Sequence, residues 1–292
     1  MNKTILILLR IVIFIILVFV LPTIRPEGLP SIAPVRASST TGEWHALGSG
    51  INGGVGAFAV DGSTLYVGGG FSSTGGSPAN HIARWTGATW QDMGAGTNGG
   101  VLAMAASGAT AYAGGVELTP DHYAIIQWDG LFWTPLGTGV TSEVNAIVIA
   151  GSDVYIGGGF TNAGGNSNAD RIAYWNGASY QALGAGLPDL YDDVYAIAVD
   201  GSNVYVGGNF TNAGNNGYAD YIARWDGDSW EALGEGLNDK VKAIVIDGTN
   251  VYVGGYFTSA GGNFNASGIA RWDGTNWNAL DEGVQDMSTP SR

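Results

Sequence analysis

A four-strand motif repeated five times in tandem, Gly-containing turns between the strands, and the lack of any sustained helical period after Leu21 together predict an all-β fold. The specific expectation is a five-bladed β-propeller of four-stranded antiparallel blades, because one such sheet cannot bury both of its faces and must stack against copies of itself. The motif's second-segment tyrosine recurs at Tyr66, Tyr112, Tyr155, Tyr205 and Tyr252, and its third-segment tryptophan at Trp85, Trp128, Trp175, Trp225 and Trp272. The copies therefore repeat about every 47 residues.

Taken in order within the last copy, Val241 to Asp247 and Asn250 to Gly255 are rich in Val, Ile and Tyr and are joined by a Gly-containing pair, which is a hairpin signal. Ile269 to Trp272 and Trp277 to Leu280 form the third and fourth strands across Asp273-Gly274, a turn matched by Thr86-Gly87, Asp129-Gly130, Asn176-Gly177 and Asp226-Gly227. Asp or Asn hydrogen-bonds its own turn and Gly supplies positive φ, so these acids are turn chemistry first. Twin glycines end every second strand, from Gly68-Gly69 to Gly254-Gly255, where a missing side chain lets a neighbour come close. The outer-strand motif occurs a sixth time at Trp44 to Gly48. This surplus strand completes the last blade from the other end of the chain, which Asp281 in place of the repeat's Gly favours, or packs as an N-terminal extra, or belongs to a sixth blade shared with a partner chain.

Residues 1–37 read as an export signal: a basic start, the apolar run Ile11 to Leu21, and small residues around Val35-Arg36-Ala37. The interrupted stretch Ile5 to Leu21 is shorter than the roughly 20 residues that span a bilayer, so cleavage is favoured over an uncleaved anchor and the mature chain has no membrane span. Residues 38–43 are a linker, 44–284 the propeller and 285–292 a C-terminal tail. The expected location is secreted or cell-envelope.

The 49 glycines exclude a helical bundle, while 45% hydrophobic and 11% aromatic residues are ample for a core. A net charge of -14 repels a phosphate backbone, so nucleic acid is excluded as a partner. The absence of Cys removes disulfides, thiolate metal sites and cysteine nucleophiles together.

The apolar strand ending in Gly-Gly, the following Phe-Thr, and Ala-Arg-Trp-Asp-Gly leading to a second Trp, as in Val204 to Phe210 and Ala223 to Trp230, resemble the kelch and galactose-oxidase-like propellers. The resemblance spans nearly all of residues 44–284. The Gly-Gly-x-Phe-Thr variant is similar to repeats in bacterial secreted propellers and fungal cortical-marker surface proteins. Trp-Asp pairs such as Trp225-Asp226 are similar to those of WD-type propellers, but that family's Gly-His dipeptide is missing. Galactose oxidase chemistry is not implied, since its Cys-Tyr cross-link has no Cys here.

All ten tryptophans sit on repeat positions, which reads as packing between blades. Arg84, Arg224 and Arg271 share a slot with Gln127 and Tyr174, which argues for stems packed along the sheet. His45, His81 and His122 lack metal-ligand spacing, and of the carboxylates only Asp189, Asp192 and Asp193 depart from the turns. No catalytic constellation follows. The longer links carry clustered amides and carboxylates on one face: Asn162, Asn166, Asn168 and Asp170; Asn212, Asn215, Asn216 and Asp220; and Asn263 and Asn265. Such oxygens suit sugar hydroxyls or Ca²⁺, but a tight Asx-rich turn is the favoured reading; no Asp-x-Asx-x-Asx-Gly loop is present, and no cofactor is expected. The function expected is a non-catalytic binding or scaffold module with a protein or glycan ligand. The alternatives are a lectin with repeated sites and a propeller-type glycoside hydrolase.

Overall fold

The computed structural model describes residues 45–119, 124–140, 142–187 and 193–280. The export signal, the linker, Trp44, His122, Asp189, Asp192 and the tail lie outside them. Among the described residues the chain is all-β with almost no helix: five four-stranded antiparallel sheets and one two-stranded ribbon. The first sheet holds β1 (Val55–Asp61), β2 (Thr64–Gly69), β5 (Ile82–Trp85) and β6 (Trp90–Asp92), with β3 (Ser73–Thr74) and β4 (Ser77–Pro78) forming the ribbon. The second holds β7 (Val101–Ser107), β8 (Thr110–Gly115), β9 (Ile125–Trp128) and β10 (Trp133–Pro135). The third holds β11 (Val144–Ala150), β12 (Asp153–Gly158), β13 (Ile172–Trp175) and β14 (Tyr180–Ala182). The fourth holds β15 (Val194–Asp200), β16 (Asn203–Gly208), β17 (Ile222–Trp225) and β18 (Trp230–Ala232), and the fifth β19 (Val241–Asp247), β20 (Asn250–Gly255), β21 (Ile269–Trp272) and β22 (Trp277–Ala279).

The strands stand where the repeat placed them, and so do the turns. Asp226 Oδ1 accepts the backbone N–H groups of Asp228 at 2.8 Å and Ser229 at 2.9 Å, and Asp129, Asn176 and Asp273 do the same in their own sheets. These N–H donors hold the carboxyls of Asp129, Asp226 and Asp273 below the usual carboxylate range.

Successive sheets pack through their first strands: β1 on β7, β7 on β11, β11 on β15 and β15 on β19. Each contact is a valine set on a glycine. A Cβ added to Gly68, Gly114, Gly157 or Gly207 would lie 2.3, 2.6, 2.3 or 2.5 Å from a Cγ1 of Val101, Val144, Val194 or Val241, so only glycine admits the next sheet this close. The tryptophans fasten the outer strands to the chain entering from the preceding sheet. Trp133, Trp230 and Trp277 donate their indole N–H to the carbonyls of Met93, Leu183 and Leu233, while Tyr180 donates its hydroxyl to Leu136 at 2.7 Å from the same place.

The surplus strand is resolved by two contacts. β22 pairs with β21, Trp277 facing Trp272, so the last sheet draws its outer strand from its own end of the chain. The Trp90 indole donates to Leu47 O at 2.8 Å, so the early copy is an N-terminal extra seated on the first sheet. The expected closure of five blades into a ring is corrected here: among the described residues the sheets form an open series, and no packing like that of β15 on β19 joins β19 back to β1. Leu47 already fills the seat at Trp90 that the exit from a preceding sheet takes elsewhere.

Candidate functional site

The residues expected on the longer links are brought together within each loop, mostly by hydrogen bonds to backbone. Asp170 Oδ1 accepts the N–H of Asn162 at 2.7 Å, and Asp220 Oδ1 that of Asn212 at 2.8 Å. Asn166, Asn216 and Asn263 accept the N–H groups of Asn168, Tyr218 and Asn265 two residues on. Asn162, Asn212 and Asn215 adopt left-handed backbone with φ of 53, 54 and 62°, a conformation Asn tolerates better than most residues. Asn162 also borders a shallow groove of about 280 Å³ with Thr138, Val140 and Thr161, between the third sheet's long loop and the chain entering it. Among the described residues no three His, Asp or Glu gather as a metal site.

A second constellation lies where the five first strands begin. Each opens with the same register shift, a β-bulge at its second residue, and bulges re-aim a side chain. The bulged residues are Gly56, Leu102, Asn145, Tyr195 and Lys242, five different types at one position of an otherwise repeated strand. Two of them, Tyr195 and Lys242, meet across neighbouring sheets. Lys242 Nζ stands 3.1 Å from the Tyr195 ring centroid, a cation–π contact, and the Tyr195 hydroxyl donates to Asp193 Oδ2 at 3.2 Å. A Cβ on Gly159 would lie 2.8 Å from Asp193 Oδ1 and 3.2 Å from Glu143 Oε1, so two carboxylates converge over this bare glycine. The side-chain Nδ2 of Asn145 is buried without a hydrogen-bond partner among the described residues.

Burial, then the charges of Asp193 and Glu143, push the Tyr195 phenol up to about 12. Burial and the neighbouring Lys240 lower the Lys242 ammonium against the opposing pull of Asp193. The cluster thus offers carboxylate acceptors, a protonated phenol, an amide and an ammonium. Sequence reasoning singled out Asp193 alone; the available signal for the others was variation at the second position of the Val-x-Ala strand.

No family model and no curated protein matches the chain. Two computationally designed proteins of known structure are similar, one at 18% identity with a TM-score of 0.43 over 62% of this chain and 97% of that one. The other is 16% identical with a TM-score of 0.48, covering 78% of this chain and 74% of that one. The extracellular domain of a one-component system, BT4673 from B. thetaiotaomicron, is 13% identical with a TM-score of 0.47 over 75% of this chain, which spans only 27% of it. YCF48 with a bound D1 peptide is 13% identical with a TM-score of 0.45, covering 77% of this chain and 67% of that one. Among the described residues no helix is long and apolar enough to cross a membrane.

Proposed function

We propose that the chain is an exported, non-catalytic binding module of the β-propeller type, and that its ligand contacts are made by Glu143, Asn145, Asp193, Tyr195 and Lys242. One observation carries this: the Val and Ala that flank the bulge and the Gly-Gly pair opposite recur in every sheet, while the bulged position between them carries five different side chains. Packing alone would favour the same residue in each sheet, as it does for the Val and Gly that join them. The non-catalytic reading is supported by the chemistry of the cluster, which has no His and whose phenol is held protonated. It calls for no cofactor. The ligand class is a protein or glycan surface rich in hydrogen-bonding groups.

The groove beside Thr161 and Asn162 favours a second reading, a lectin with near-equivalent sites between sheets. A glycan and peptide array probed with the wild-type chain, an Asp193→Asn/Tyr195→Phe/Lys242→Met variant and a Thr161→Ala/Asn162→Ala variant separates the two. Loss of binding in the first variant alone supports the bulge cluster, and loss in the second alone supports the lectin.

A further inference from the structure

We propose that the two ends of the sheet series bind each other between copies of this chain, head to tail. The four internal contacts define what such an interface needs: a valine that opens a first strand, and a glycine that receives it. The first sheet carries the valine, and among the described residues no sheet precedes it. Val55 is 39% exposed, whereas Val101, Val144, Val194 and Val241 are 0–1% exposed, and Val60 on the same face is 49% exposed. The last sheet carries the receiving glycine, Gly254, and beside it Ile269 is only partly buried, while Ile82, Ile125, Ile172 and Ile222 are fully buried. One chain therefore carries both halves of a contact it makes four times internally, with Val55 exposed and Gly254 itself buried.

The occupant is a second copy and not the same chain's other end. The angle between sheets is fixed by Val side chains pressed on glycine, with no slack for a Cβ at any of the four contacts, so bringing β19 to β1 in one chain requires all four to change. A second copy requires none of them to move. It displaces Leu47, itself 38% exposed, from the Trp90 indole, so that the arriving Leu280 takes that seat. Because the two faces differ, the contact is heterologous, and copies add until the ring they form closes.

The test uses the full chain, produced in an exporting host and purified from the fraction where it accumulates, with mass read by sedimentation. The wild type is expected at a multiple of the one-chain mass. Val55→Asp and Gly254→Val should each sediment as one chain, and their equimolar mixture should form a two-chain complex, since each variant keeps the face the other lacks. Val60→Asp replaces Val55→Asp if the latter loses its β signal in circular dichroism. A wild type of one-chain mass at every concentration, whether open or closed on itself, overturns the proposal, as does a mixture of folded variants that stays monomeric.

Discussion

Lys242 and Tyr195 occupy the same position of neighbouring sheets, each the bulged second residue of its first strand, and the ammonium of one lies 3.1 Å from the ring centroid of the other. The bulge turns both side chains out of the alternation that would bury them between sheets. Tyr195 in turn donates to Asp193, so three side chains from two sheets form one chain of contacts.

That environment sets the titration of Tyr195. Its folded value of about 12 lies above the ordinary 10.0, so the folded state holds the proton more tightly. The associated stability is complete below pH 10 and is lost as pH rises through about 12. Ultraviolet titration of phenolate should show a component near pH 12 in the wild type that is missing from Tyr195→Phe.

The sheet contacts predict a sharp contrast among glycines. Gly207→Ala forces a Cβ to within 2.5 Å of Val241 Cγ1 and should cost about 1–3 kcal/mol by overpacking. Gly70→Ala meets nothing within 4 Å and has no positive φ, so its effect should stay within about 0.5 kcal/mol. Chemical denaturation of both variants measures the difference.

Trp230, 8% exposed, is the buried member of its pair, while Trp225 is half-buried. Trp230→Ala should cost about 3–5 kcal/mol. Trp230→Tyr should cost much less, because Tyr180 fills the equivalent place in the third sheet and makes the matching bond to Leu136 O. Thermal melts of the two variants check the ranking.

The capped turns predict sensitivity to acid. Asp129, Asp226 and Asp273 titrate below the ordinary 3.8 because backbone N–H groups bind their charged form. Their contribution is present above that value and is lost as pH falls through the lowered ones. Replacing all three by Asn, which already serves at Asn176, should keep the turns and flatten the fall of stability below pH 3.8, read from chemical denaturation across acid pH.

Strands and turns were legible because both are local: the period-two run of Val204 to Val206 and the Asp226-Gly227 pair each specify their structure within a few residues. Closure was not legible, because it turns on whether Leu47 or an incoming sheet holds the Trp90 indole, a contact 43 residues apart in sequence. The clustered Asn and Asp of the long links were visible as a group, but the sequence left open whether Asp220 faced a ligand or the N–H of Asn212, and the loop's fold selects the latter. The bulge cluster escaped because its only signal is variation: Asn145, Tyr195 and Lys242 share no residue type, only the second position of the Val-x-Ala strand.

The most direct test of the binding account is one array of oligosaccharides and peptides, read with the wild-type chain and the Asp193→Asn/Tyr195→Phe/Lys242→Met variant at matched melting temperature. The account predicts that array members retained by the wild type are lost by the variant at least tenfold. A wild type that retains nothing, or a variant that binds as the wild type does, contradicts it.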